Sequence, residues 1–201
     1  KIAAFKGLGT ILRPGLVEVN YKDGKEADRL ECDNIVIATG ARPRTLPGIV
    51  LDRKTVITSR EALELSERPK SILIIGAGAI GVEFAYFYNA FGAKVTLVEF
   101  LPNILPIEDE EASKLLERKY QGYGIEVLTG TKVTSIEVTE NGATASFEGK
   151  SPKGGNTFEK VLEAVGVEAR TDGLLGPDIK LDLNRGYIST NDRYESSLPG
   201  I

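Results

Sequence analysis

Apolar positions change their period several times along the chain, and each change marks an element. Leu16-Val17-Glu18-Val19-Asn20-Tyr21 alternates apolar and polar residues, the pattern of a half-buried strand. Lys22-Asp23-Gly24-Lys25 behind it carries the Asp-Gly signal of a hairpin turn. Ile35 to Gly40 reads as a buried strand ending in a glycine, and 41–48, with its prolines, as a connector. Thr58 or Ser59 is placed to cap a short helix over Ala62-Leu63-Glu64-Leu65, with Glu61 as the third-position carboxylate for Thr58. The apolar run within Ser71 to Ile75 suits a parallel strand covered on both faces. After a glycine-rich turn, Ile80, Phe84, Phe87 and Phe91 recur at spacings of four, three and four. They predict a helix with these four residues on its buried stripe. Gly92 ends it, and Lys94 to Glu99 is the next strand.

Beyond a proline-bearing loop, a helix is predicted from Glu108 to Tyr120. The acidic run Glu108-Asp109-Glu110-Glu111 sits at its start, where it favours the helix dipole, and reads as a solvated cap rather than a metal site. Ile125 to Leu128 is a further parallel strand. Lys132 to Glu140 and Ala143 to Glu148 form an antiparallel pair across the tight turn Asn141-Gly142. Gly154-Gly155-Asn156 turns into a strand ending Leu162-Glu163-Ala164-Val165-Gly166. Ser197 to Ile201 reads as a strand being entered. Strand–helix–strand alternation followed by hairpins places the chain in the α/β class.

Composition narrows the functions. The 201 residues are enough for one large domain or two small ones. With 25 Lys plus Arg against 29 Asp plus Glu, the net charge of −4 leaves no basic footprint for nucleic acid. No apolar run approaches the roughly 20 residues needed to span a bilayer. One cysteine, Cys32, excludes an internal disulfide and a cysteine zinc cluster, and fits a reducing, cytoplasmic setting. Cys32 itself reads as a small buried core residue, since no base accompanies it. There is no His, the commonest general base and metal ligand, so no metal site is expected. There is also no Met, which fits a piece of a longer chain. Tyr86, Tyr88, Tyr120 and Tyr123 read as packing or interface aromatics.

The candidate chemistry lies in Gly76-Ala77-Gly78-Ala79-Ile80-Gly81. This Gly-x-Gly-x-x-Gly follows a predicted buried strand and opens a predicted helix, the context that a dinucleotide fingerprint requires. Gly76 permits the tight turn, Gly78 lets the backbone approach a pyrophosphate, and Gly81 allows close helix–strand packing. The helix N-terminus then offers free N–H groups to the phosphates. Glu99 lies 18 residues after Gly81, at the end of the second strand. A carboxylate there accepts hydrogen bonds from ribose hydroxyls and repels a 2′-phosphate, so NAD(H) is expected over NADP(H). Glu83 has two readings: a partly exposed helix carboxylate, or a group near the nicotinamide.

These motifs in order resemble one family. Ala38-Thr39-Gly40-Ala41-Arg42-Pro43, then Gly76 to Ala85, then Ala164-Val165-Gly166, then Leu198-Pro199-Gly200-Ile201 resemble the two-dinucleotide flavoprotein disulfide reductases, most of all the dihydrolipoamide dehydrogenases. The resemblance implies a Rossmann-like three-layer FAD/NAD(P)-binding fold, with a parallel sheet and an antiparallel β-meander. It implies that 1–48 is the middle of a FAD domain, 49–168 the NAD domain, and 169–201 the return to the FAD domain. Gly9, Thr39, Gly40 and Ala41 would then approach FAD. Glu83 would lie by the nicotinamide, and the backbone at Val133 and Gly166 would contact NAD. The implied activity is oxidation of the dihydrolipoyl group of a carrier protein of a 2-oxoacid dehydrogenase complex, with hydride passed from FAD to NAD+, in a parent homodimer. The redox cysteine pair and the acid–base His of such an enzyme would lie outside 1–201, so residues 1–201 alone are expected to bind NAD(H) weakly and not to catalyse. An NADH oxidase, a CoA-disulfide reductase and a non-catalytic NAD-sensing module are the alternatives. Val167-Glu168-Ala169-Arg170 departs from the family's usual Arg-x-Pro-Asn.

Overall fold

In the computed structural model, which describes residues 2–201, short strands come first: β1 (Leu8–Arg13), β2 (Leu16–Asn20), β3 (Asp28–Glu31) and β4 (Ala41–Pro43). The middle of the chain begins with β5 (Val56–Thr58), α1 (Ser59–Leu63), β6 (Ser71–Ile75), α2 (Ala79–Ala90) and β7 (Lys94–Val98). It continues through α3 (Glu110–Gly122), β8 (Glu126–Leu128), β9 (Lys132–Thr139), β10 (Gly142–Glu148), β11 (Thr157–Phe158) and β12 (Lys160–Glu163). β13 (Val167–Ala169), β14 (Leu183–Asn184) and β15 (Tyr187–Ile188) follow. Two compact units result. The first joins the stretch up to Arg42 with Glu168–Ile201; the second is Pro43–Val167.

The second unit is built on a parallel sheet ordered β5-β12-β6-β7-β8. Its strands are apolar on both faces because both faces are covered. Ile72, Ile74, Val95, Leu97 and Leu162 pack against Val82, Ala85 and Tyr88 of α2 and Tyr120 of α3. Leu73, Ile75, Val98 and Val161 point the other way, onto Val133, Ala143, Ala145 and Phe158 of the antiparallel meander β11-β10-β9. Helices, parallel sheet and meander are therefore the three layers. Each fully buried Ile or Leu contributes about 1.5–3 kcal/mol to holding them together. Local signals agree with the packing. Thr58 and Glu61 form a complete capping box on α1. The Asp109 carboxylate caps α3 by accepting from the N–H groups of Glu111 and Ala112.

The buried face of α2 differs from the predicted stripe. Gly81, Val82, Ala85 and Tyr88 face the sheet, whereas Phe87 and Phe91 are 46% and 64% exposed. Ile80 and Phe84 are half-buried against the core. The reason is distance. A Cβ at Gly81 would overlap the Gly76 carbonyl oxygen, so the start of the helix lies too near the turn for bulky side chains on that face, and only Tyr88, two turns further on, finds room there. The outward rings contact one another instead, with Phe87 and Phe91 centroids 4.8 Å apart. Tyr88 and Tyr120 are packing residues that donate to the carbonyls of Ala62 (2.7 Å) and Val82 (2.8 Å).

The first unit holds the antiparallel sheet β1-β2-β3, the pair β14-β15 and a small core of Ile11, Leu174 and Ile179. Three expectations fail here. Ile35 to Gly40 forms no strand, and Val36 is 88% exposed. A ladder needs partners for its N–H and C=O groups, and no described strand pairs with this segment. Ile35 N–H donates instead to Gly200 O (2.8 Å). Ser197 to Gly200 is a bend and turn rather than a strand; Ser196 N–H closes it on Ile201 O (2.9 Å). Cys32 is exposed, not core, because it follows the edge strand β3 with only its N–H anchored, to Gly15 O. Among the described residues, no helix is long and apolar enough to cross a membrane.

Candidate dinucleotide-binding site

The glycine turn joins β6 to α2, and its three glycines do three different things. Gly76 has φ +99°, and a Cβ there would come within 2.6 Å of Ala164 O. Only glycine fits that conformation and that gap. Gly78 is the N-cap of α2 with an ordinary φ of −71°, and a Cβ there would meet nothing within 4 Å. Its lack of a side chain therefore leaves open the space in front of the helix. Gly81 lets α2 settle on the Gly76 carbonyl. The first bond of the helix is Val82 N–H to Gly78 O (3.0 Å), so the preceding N–H groups, of Ala79, Ile80 and Gly81, have no partner within the helix. With no acid in the first turn and no side-chain cap, this end of α2 has its positive pole open to an anion.

Glu99 follows β7 and is 9% exposed. Its Oε2 accepts from Ala77 N–H in the glycine turn (2.7 Å), and its Oε1 from Leu101 N–H (2.9 Å). A carboxylate has about four acceptor positions, so two remain for a vicinal diol. Backbone bonds pin what comes next: Gly130 N–H donates to Leu101 O and Thr131 N–H to Glu99 O, both at 2.9 Å. They bring the start of β9, with the buried Val133, to the same end of the sheet. Ala164 N–H donates to Ile75 O (2.8 Å) and places the β12 end beside Gly76. Gly166, at φ +100°, accepts from Arg44 N–H (3.0 Å). The structure thus gathers Gly76, Ala77, Gly78, Ala79, Ile80, Gly81, Glu99, Val133 and Gly166 at the carboxyl ends of β6, β7 and β12 and the start of β9. The carboxyl ends of the strands are the usual ligand crevice of a doubly wound sheet. Glu83 is an exposed carboxylate on α2, in the turn after Ala79.

The flavin candidates are all in the first unit. Gly9 lies on β1 opposite Val19, and Thr39, Gly40 and Ala41 are exposed, with Gly40 O accepting from Arg170 N–H (3.2 Å). That unit has a cavity of about 430 Å³ lined by Ile35, Ile37, Ile188, Tyr194 and Gly200 among others, and none of the four candidates lines it.

One buried ionisable group escaped the sequence reading. Glu163, the last residue of β12, is 2% exposed, and neither carboxylate oxygen has a hydrogen-bond partner. Burial pushes its pKa up to about 7. The signal was a charge inside the apolar run Val161 to Val165.

Fold and turn together define an α/β unit built on a parallel sheet, with a Gly-x-Gly-x-x-Gly turn at its carboxyl end. Residues 5–201 match the family described as pyridine nucleotide-disulphide oxidoreductase, and the chain belongs to that family of oxidoreductases. It is 43% identical over 187 residues to the dihydrolipoyl dehydrogenase of Chlorobaculum tepidum, covering 92% of this chain and 39% of that protein. Over 203 residues it is 38% identical to the dihydrolipoyl dehydrogenase of Bacillus subtilis, covering 96% of this chain and 42% of that one. The chain thus spans about two-fifths of the length of these relatives. Among solved structures, LpdA from Mycobacterium tuberculosis superposes with a TM-score of 0.82 at 27% identity, over 96% of this chain and 43% of LpdA. The flavoprotein disulfide reductase RclA from Escherichia coli also gives 0.82, at 25% identity, over 96% and 43%.

Proposed function

We propose that the protein carrying this chain is a dihydrolipoyl dehydrogenase and that Pro43–Val167 is its NAD(H)-binding unit. The observation that carries this reading is the convergence of the glycine turn and the Glu99 carboxylate at one end of the parallel sheet. The open N-terminus of α2 receives the pyrophosphate, with Gly78 leaving room for it. Glu99 accepts from the adenosine ribose hydroxyls and repels a 2′-phosphate. Val133 and Gly166 would offer backbone groups to the cofactor, and Glu83 would lie by the nicotinamide. Bound NAD+ supplies the hydride acceptor. The residues of this unit bind and orient it.

Gly9, Thr39, Gly40 and Ala41 belong to the flavin-binding part on the strength of resemblance alone, and no step is assigned to them. The dihydrolipoyl substrate follows the names of the relatives above; the homodimer and the lipoyl carrier protein of a 2-oxoacid dehydrogenase complex rest on the family resemblance alone. The intact protein is assayed for dihydrolipoamide-dependent reduction of NAD+, alongside titration with NADH. Saturable turnover is expected. NADH binding with no dihydrolipoamide turnover would replace this reading with a sensing module, and no NADH binding would remove both.

A further inference from the structure

Glu163 is a carboxyl that the dinucleotide site does not use. It ends β12 between Thr58 of β5 and Ile75 of β6. By strand alternation it shares the meander-side face with Val161 and Val165, where Leu46, Ile49 and Leu51 of the connector 43–51 also pack. The Leu46 N–H is aimed at the carboxyl without completing a hydrogen bond. No charged side chain offsets its burial. Ionisable groups on the surrounding elements are committed elsewhere or exposed. Asp52 accepts from the N–H groups of Lys54, Thr55 and Val56, and Glu61 is bound to Thr58. Arg44 and Arg53 are exposed.

An ionised carboxylate in such a place needs water. Two routes could admit it. Parting the parallel sheet would expose fully buried Ile and Leu side chains. Lifting the connector would expose chiefly Leu46, Ile49 and Leu51, because Arg44, Thr45, Pro47, Gly48 and Val50 are already exposed. The cheaper opening is local. The connector also holds the site: Arg44 N–H donates to Gly166 O, and Ile49 N–H to Leu46 O (3.2 Å).

We propose that Glu163 is a positioning residue: as a neutral carboxyl it lets the connector 43–51 close over the end of β12 and hold the Gly166 turn through Arg44, and its ionisation favours the lifted connector. Only the consequence for nucleotide binding at Gly166 rests on the function proposed above; the opening does not.

The test is amide hydrogen exchange in the intact protein between pH 5 and 8, corrected for the intrinsic pH dependence of exchange. Opening exposes a carboxyl of ordinary acidity, so protection of the Arg44 and Ile49 amides falls on the order of 10²-fold from pH 5 to 7, then levels off. The Leu97 amide, in β7 between two paired strands, keeps its protection. Glu163→Gln, which cannot ionise, flattens the profile at Arg44 and Ile49, and Glu163→Val does the same if the amide proves hard to accommodate. A flat wild-type profile overturns the proposal. So does a slope that survives in the variants, or one that Leu97 shares. NADH titration of the same samples tests the dinucleotide reading separately, and neither result stands in for the other.

Discussion

Two apolar runs in this chain each end in glycine, yet they meet opposite fates. Ile72 to Ile75 is the centre of a five-stranded sheet, with β12 on one side, β7 on the other, and a packed layer on each face. Ile35 to Gly40 pairs with no described strand, and Val36 stands 88% exposed. Side-chain pattern makes a segment eligible to be a strand. Partners for its backbone groups and cover for its faces make it one. The difference carries over to chemistry: the glycine after the first run is locked against Ala164, whereas Gly40 after the second has open space around it.

The largest expected effect is at the turn that the first run leads into. Gly81→Ala places a Cβ onto the Gly76 carbonyl, and urea unfolding should show a loss of at least about 3 kcal/mol. A loss under about 1 kcal/mol would mean that α2 does not sit as close as described. Next comes the comparison itself. Ile74→Ala should lower stability by about 3 kcal/mol and Val36→Ala by no more than about 0.5 kcal/mol. Similar losses at both positions would erase the contrast between the runs.

A smaller effect follows from Glu163 within the packed region. Its pKa is about 7 in the fold against an ordinary 4.5, so between these values the folded state holds a proton that the unfolded chain releases. The stabilisation is full below about pH 4.5, is lost as pH rises to about 7, and is flat above. The loss is at most about 3 kcal/mol, and Glu163→Gln should remove the slope. Asp52 and Glu61, held below the usual carboxylate range by hydrogen bonds, act in the opposite direction: their contribution is lost as pH falls. Unfolding midpoints between pH 5 and 7 therefore isolate Glu163. Stability that rises with pH across that window would contradict its protonated burial.

What the sequence disclosed follows the same division. The glycine turn, Glu99 and the α1 capping box were legible because their requirements are local: a positive φ, an open N-cap, a carboxylate at the right spacing. The sheet with its meander was legible because Asn141-Gly142 and the doubly covered runs leave few other pairings. The buried face of α2 was not. Four bulky residues kept helical spacing, but the close approach at Gly81 selected the small residues Val82 and Ala85 at the start of the helix, with Tyr88 the one large residue on the buried face further along. Nor could the pattern show that Ile35 to Gly40 lacks neighbours, that Cys32 follows an exposed edge, or that the connector folds back over Glu163. Each depends on segments distant in sequence.

The central claim is that Glu99 and the glycine turn form a site for NAD(H), and the ratio of NADH to NADPH affinity in the intact protein tests it most directly. Glu99→Gln keeps the length of the side chain and one acceptor for the turn but removes the charge that opposes a 2′-phosphate. Wild-type protein should bind NADH at least roughly tenfold more tightly than NADPH, with the ratio falling toward one in Glu99→Gln. Equal affinity in the wild type, or a preference that survives the substitution unchanged, would contradict the account.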